Sequence, residues 1–177
     1  GAPAVVRVAV AAVRAAHAVA SYVPATTAQD TRAACVVERL AAGQDYTDIP
    51  NLWLRRNGEI IRNPLRPLIA NLDELPYADR DLFDYDTILA ANDGWVDLIA
   101  GRGCPYNCSY CCNPGLKKRY VGLGKYVRFR SVEHVMGEIR MLRDHYPKIK
   151  TINFQDDTFT LDRDWALAFC RAYGSEF

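Results

Sequence analysis

The chain has 177 residues, half of them hydrophobic and 24% charged, which supports one packed domain with attachments and argues against a disordered chain. Its formal net charge of +1 gives no overall attraction to nucleic acid or to an anionic membrane. Function is therefore to be sought in local clusters.

The first residues, 4–23, are mostly Ala and Val, but Arg7, Arg14 and His17 interrupt them. A membrane span needs roughly 20 mainly apolar residues, and a central Arg costs about 2.5–3.5 kcal/mol. A transmembrane helix is excluded on that ground. An Arg- and Ala-rich stretch without an acidic residue before Asp30 has some likeness to a transit peptide, but it reads better as an amphipathic helix belonging to a larger domain. The start at Gly1 and the stop at Phe177 within a helical pattern predict a piece of a longer chain.

Residues 30–43 predict a helix, with Asp30 or Thr31 as cap, Val36, Val37 and Leu40 as the apolar stripe, and Gly43 as the left-handed stop. Leu52–Leu54 and Ile60-Ile61 flank Asn57-Gly58, the signature of a tight hairpin. From Asn63 to Asp86 three prolines and several Asp residues follow without periodicity, which predicts a connector and a domain boundary near residues 73–92. The expected division is an N-terminal remnant over 1–72, a linker over 73–92 and a second domain from 93 to 177.

Val96–Ala100 predicts a short strand that leads into a Gly- and Cys-rich loop. Ser131 caps a helix whose Val132, Val135, Met136, Ile139 and Leu142 share one face, and Pro147 closes it. Thr151–Phe154 predicts a second strand that delivers Asp156 and Asp157 at its end, and a helix carrying Trp165, Leu167, Ala168 and Phe169 begins near Asp162–Asp164. Strand, helix, strand, helix is the order of a parallel α/β sheet, whose ligand sites lie beyond the C-terminal ends of the strands. Both the cysteine loop and the Asp pair fall there.

Cys104, Cys108 and Cys111 stand in C-x3-C-x2-C spacing. Thiolates are soft ligands suited to iron–sulfur clusters and zinc. Structural zinc usually takes four ligands as separated pairs, and ferredoxin loops use C-x2-C-x2-C with a distant fourth Cys. This loop fits neither pattern. Three thiolates leave one iron of a [4Fe–4S] cube open to a substrate or cofactor. Cys112 cannot easily point the same way as Cys111 and reads as a packing or unligated thiol. Cys35 and Cys170 read as small hydrophobes on helix faces.

The spacing with Tyr110 before the third Cys, placed after a first strand, resembles the signature of the radical SAM superfamily. The resemblance implies a partial (β/α) barrel with parallel strands, a [4Fe–4S] cluster held by Cys104, Cys108 and Cys111, and S-adenosylmethionine on the fourth iron. Reductive cleavage of that cofactor would give a 5′-deoxyadenosyl radical. Tyr110 would lie against the adenine. Asp156 and Asp157, in the place of the family's polar motif after its second strand, would hold the methionine ammonium; a helix cap is the alternative reading of each.

Asp48 to Phe159 further resembles the branch that joins a cobalamin-binding domain to the barrel, through Ile49-Pro50-Asn51-Leu52, Leu72-Asp73-Glu74-Leu75-Pro76, Arg128-Phe129-Arg130-Ser131 and Asp156-Asp157-Thr158-Phe159. That branch implies cobalamin as a further cofactor, for methyl transfer or ring chemistry, a small-molecule substrate, and an electron donor such as flavodoxin or ferredoxin. Residues 1–29 do not match the cobalamin domain. An oxygen-sensitive cluster implies a reducing cytoplasm, and no membrane partner is expected.

Two other functions compete. One is a non-catalytic iron–sulfur or zinc module, for which Cys112 is the nearest fourth ligand. The other is a tRNA-modifying radical SAM enzyme that uses Lys117, Lys118, Arg119, Lys125, Arg128 and Arg130, interleaved with Tyr120, Tyr126 and Phe129. A solvated loop is the simpler reading of that basic segment.

Overall fold

The computed structural model describes residues 32–177. The caps expected at Asp30 and Thr31, and everything expected of residues 1–29, lie outside the described residues. The chain divides into two compact units that meet between Arg66 and Pro67.

In the first unit, helix α1 (Arg32–Ala41) ends as its sequence predicts. Gly43 adopts φ +66°, Gln44 N–H donates to Arg39 O (2.8 Å) and Gly43 N–H to Leu40 O (3.2 Å). Those two bonds are the Schellman closure that uses a glycine after the helix. Strands β1 (Trp53–Arg56) and β2 (Glu59–Arg62) pair antiparallel, with Arg56 opposite Glu59. The two-residue turn between them has Asn57 at φ 51° and Gly58 at φ 85°, the all-positive turn that Asn-Gly favours. Asn63 then donates its amide to Thr47 O and Ile49 O (2.6 and 2.8 Å), which holds the segment around the buried Ile49.

In the second unit, strands β3 (Trp95–Leu98) and β6 (Thr151–Phe154) are parallel, with Trp95 opposite Thr151 and Leu98 opposite Phe154. Burial alternates along β3 as a strand with one covered face requires. Val96, Leu98 and Ala100 are buried, while Trp95, Asp97 and Ile99 are exposed. The covered face packs on helix α4 (Val132–His145) through Val135, Met136, Ile139 and Leu142. Helix α5 (Arg163–Glu176) adds Phe169, and helix α2 (Tyr85–Ala91) adds Leu89. Ser131 caps α4 by accepting from His134 N–H (3.0 Å), as expected, and Asp162 caps α5 by accepting from Trp165 N–H (3.0 Å), at the helix start the sequence predicts.

The mixed α/β class with parallel strands is therefore observed. Strand β3 ends two residues before the predicted Ala100, because the backbone N–H groups of Ala100 and Gly101 turn to the Asp156 carboxylate.

The stretch read from sequence as a loose connector is instead packed. A short 3-10 turn at Leu72–Glu74 and helix α2 interrupt it, and Leu72 and Leu89 are buried. Asp73 accepts from Ser131 N–H (2.8 Å), and Tyr77 Oη donates to His134 O (3.1 Å). A Cβ at Gly137 would strike that tyrosine hydroxyl, so a small residue is needed where the strap crosses α4. The basic segment also differs from a solvated loop at its C-terminal end. Arg128 and Arg130 lie half-buried in and beside strand β5 (Arg128–Phe129), where Arg128 donates to Ile69 O. Cys170 is exposed on α5 rather than packed inside.

His134 sits on α4 beneath this strap, its ring 4.8 Å from that of Tyr77. Its Nδ1 accepts from Arg130 Nε (2.9 Å), so the ring is neutral there, and the nearby Asp73 carboxylate at 3.5 Å is a neighbour rather than an ion-pair partner. Burial and then the Arg130 charge push its pKa below the ordinary imidazole value. The folded state thus resists a proton that the unfolded chain accepts. Above pH 7 this has no effect, and a penalty grows as pH falls through about 6.5. The melting temperature of the wild type is expected to fall more steeply between pH 7 and pH 5 than that of His134→Gln. Parallel curves would remove His134 as a source of acid sensitivity.

Candidate metal and cofactor site

Strand β4 (Gly101–Arg102) pairs antiparallel with β5, Gly101 opposite Phe129 and Arg102 opposite Arg128. This short ladder closes the neck of a loop over residues 103–127 that carries all the cysteines of the motif. Two glycines permit the closure. A Cβ at Gly101 would come within 3.0 Å of Arg128 O and of the Phe129 ring. Gly103 has φ +82°, and a Cβ there would lie 2.5 Å from Tyr126 O. The loop stands just past the C-terminal end of β3, where a parallel sheet offers its ligand site.

Cys104 and Cys111 are half-buried and Cys108 is exposed. Among the described residues no three His, Cys, Asp or Glu side chains converge closely enough to hold an ion together. The structure thus places the three thiols on one clasped loop without gathering them on a point. The donor set nevertheless suits an iron–sulfur cluster. It consists of three soft sulfurs within eight residues, none of them in a disulfide. Cys111 is the most prepared of them. Its Sγ accepts from Asn113 N–H (3.4 Å) and from Asn113 Nδ2 (3.5 Å), and these bonds, the backbone one first, hold its pKa below that of an ordinary thiol. A thiolate is the metal-binding form.

Asn113 begins the short helix α3 (Asn113–Arg119), with Cys112 at the cap position and Pro114 in the first turn. Its side chain is buried, and its amide also donates to Asp157 Oδ2 (3.0 Å) while its Oδ1 accepts from Tyr126 Oη (2.8 Å). Burial first, then the negative groups around it, raise the Tyr126 pKa, so the phenol keeps its proton and remains a donor. Cys111, Asn113, Asp157 and Tyr126 therefore form one connected group. Sequence reasoning missed Asn113 altogether and noted Tyr126 only as an aromatic in a basic segment. The usable signal was an Asn-Pro pair directly after the cysteines, which marks a helix start.

The two expected acids separate. Asp156 turns toward the chain, its carboxylate accepting from Ala100 N–H (2.9 Å) and Gly101 N–H (2.6 Å), and so sets the bend between β3 and β4. Asp157 is exposed, with Asn113 as its hydrogen-bond partner. Neither caps a helix; Asp162 does that for α5. Phe159 anchors the turn, its ring 4.7 Å from Phe154 and 5.3 Å from Trp165. A cleft of about 170 Å³ opens beside the acids, lined in part by Gly101, Arg102, Gly103, Gln155 and Thr158. Tyr110 is 92% exposed at the outer edge of the loop.

Residues 98–173 match the family model of the Radical SAM superfamily. Over that segment the chain is similar to members of this superfamily. That segment begins at the last residue of β3 and carries the cysteine loop, both acids and β6. Over 132 residues the chain is 36% identical to a Pyrococcus horikoshii protein named as an uncharacterized methyltransferase, an alignment covering 75% of this chain and 27% of that protein. It is 28% identical over 120 residues to the cytidylyl-2-hydroxyethylphosphonate methyltransferase of Streptomyces wedmorensis, covering 63% of this chain and 21% of that one. The chain thus spans about a quarter of the length of the curated relatives it matches.

Among solved structures, the fold matches TsrM, a radical S-adenosylmethionine methyltransferase of Kitasatospora setae. The complex of TsrM with tryptophan and a S-adenosylmethionine analog gives a TM-score of 0.58 at 18% identity, over 81% of this chain and 27% of that one. The TsrM structure with cobalamin and a [4Fe–4S] cluster bound gives 0.56 at 18% identity, over 81% and 28%.

Proposed function

We propose that Cys104, Cys108 and Cys111 hold a [4Fe–4S] cluster whose fourth iron binds S-adenosylmethionine, in an enzyme that transfers methyl groups. The observation that carries this reading is the loop itself. It holds three thiols in C-x3-C-x2-C spacing, is clasped by β4 and β5 beyond the end of β3, and is linked through Asn113 to Asp157 after β6. On this reading β3, α4, β6 and α5 are the opening units of a (β/α) barrel.

Cys104, Cys108 and Cys111 would hold the cluster, which when bound would supply the electron for reductive cleavage of S-adenosylmethionine. The protein's own residues orient the participants. Asp157, exposed at the cleft, offers a carboxylate oxygen to the methionine ammonium. Asp156 shapes the bend that positions the loop and takes no direct part, since both its oxygens accept backbone N–H groups. Tyr110 is free to turn onto the adenine.

The names of both curated relatives support methyl transfer, and the TsrM structure that contains cobalamin supports it as a further cofactor. A small-molecule substrate and a flavodoxin- or ferredoxin-type electron donor complete the proposal, in a reducing compartment that keeps the thiols available. No helix among the described residues is long and apolar enough to cross a membrane. The RNA-binding alternative weakens, because Lys117 is committed to Pro105 O (2.7 Å), Arg128 to Ile69 O and Arg130 to Glu138.

Anaerobic reconstitution with iron and sulfide, followed by low-temperature EPR of the reduced protein, tests this reading. The expected result is a [4Fe–4S]⁺ signal that changes on adding S-adenosylmethionine and is absent in Cys104→Ala. A cluster indifferent to the cofactor in the wild type but lost in Cys112→Ala would mean four protein ligands and no open iron.

A further inference from the structure

Among the described residues Asn113 and Glu138 are the buried polar ones, and every polar atom of the Asn113 side chain is committed. The assignment of its amide follows from its neighbours. Tyr126 Oη has a proton to give, so the atom facing it at 2.8 Å is the carbonyl oxygen. The Asp157 carboxylate and the Cys111 sulfur are acceptors, so the NH2 group faces both of them. Turning the amide over would set oxygen against carboxylate and waste the tyrosine proton. One hydrogen of the NH2 goes to Asp157 and the other to Cys111.

We propose that Asn113 is a positioning residue that sets the reduction potential of the cluster held by Cys111 and couples it to the state of Asp157, with Tyr126 locking the amide in the required orientation. The proposal rests on the cluster reading given above. A hydrogen bond to a ligand sulfur stabilises the more negative, reduced cluster and raises its potential, and such outer partners are among the protein's main controls on it. The backbone N–H of Asn113 supplies one such bond in any variant. The side chain supplies the second, and that bond depends on how the amide is shared with Asp157. Burial keeps water from replacing it. A group that draws on the Asp157 carboxylate, such as an ammonium, alters the same amide that touches the ligand sulfur.

The test is an EPR-monitored potential titration of the reconstituted full chain, wild type against Asn113→Leu and Tyr126→Phe, with iron content measured for each. Leucine has the same number and branching of side-chain heavy atoms as asparagine but donates nothing, so the midpoint is expected to move to a more negative value. Tyr126→Phe keeps the amide but frees it to turn, so a smaller move in the same direction is expected even if Asn113→Leu loads iron poorly. Adding S-adenosylmethionine should shift the wild-type midpoint by a different amount from that of Tyr126→Phe. Fully loaded variants whose midpoints coincide with the wild type would overturn the proposal alone. A wild type that takes up no cluster would overturn it together with the reading beneath it.

Discussion

Replacing Glu138 by alanine is expected to destabilise the chain by about 3–5 kcal/mol, the range for removing one partner of a buried ion pair. The carboxylate is 4% exposed on α4, and its two oxygens serve two cations. Arg80 reaches Oε1 at 3.1 Å and Arg130 reaches Oε2 at 2.7 Å, each guanidinium about a tenth exposed. Removal leaves two buried positive charges facing each other with no counter-ion. The damage would not stay local. Arg130 also donates to Ile99 O (3.1 Å) at the end of β3, and its own carbonyl accepts from Trp165 Nε1 (2.7 Å) on α5. The network therefore joins the strap at residues 77–80, both ends of the loop neck and two helices. Glu138→Gln keeps the shape and some hydrogen bonds but not the charge, and should fall between alanine and wild type. Denaturant unfolding measures both. A loss under about 0.5 kcal/mol for Glu138→Ala, as for a surface substitution, would show that the pairs contribute nothing.

That network also marks where sequence reading stops. The hairpin turn at Asn57-Gly58, the Gly43 stop and the cap at Ser131 were legible because each is decided within about five residues by backbone chemistry. Strand β6 was legible to the residue, since an apolar pair between turn signals has few other uses. Glu138 looks like any polar position on an amphipathic helix, because its partner Arg80 lies 58 residues away in a segment with no periodicity. The same distance hides the role of Leu72–Pro76, whose Asp73 satisfies the N–H of Ser131. In the candidate site, the cysteine spacing and the place of the Asp pair after β6 were visible in the sequence. The split between Asp156 and Asp157 was not, because adjacent residues point apart and only the fold says which one meets backbone. Asn113 was hidden for a different reason. An asparagine after a cysteine pattern is ordinary in a loop, and it matters only once Tyr126 and Asp157 are brought to it from 13 and 44 residues away.

The second large effect is expected at Gly103, and its size can be separated into two physical parts by comparison with Gly122. Both glycines hold a left-handed backbone, φ +82° and +77°, which costs a residue with a side chain on the order of 1–3 kcal/mol. They differ in space. A Cβ at Gly122 has nothing within 4 Å, whereas one at Gly103 would sit 2.5 Å from Tyr126 O and 2.9 Å from the Tyr126 ring. The obstructing oxygen is backbone two residues from β5, so it can yield only by opening the neck or by drawing Tyr126 off Asn113. Gly122→Ala should therefore lose stability alone, with cluster loading preserved. Gly103→Ala should lose more stability, speed hydrogen exchange across residues 103–127 and fail to load iron, because Cys104 is the very next residue. Equal losses in the two variants would mean that the close approach of Gly103 to Tyr126 does not hold the loop, and that the clasp of β4 on β5 suffices without it.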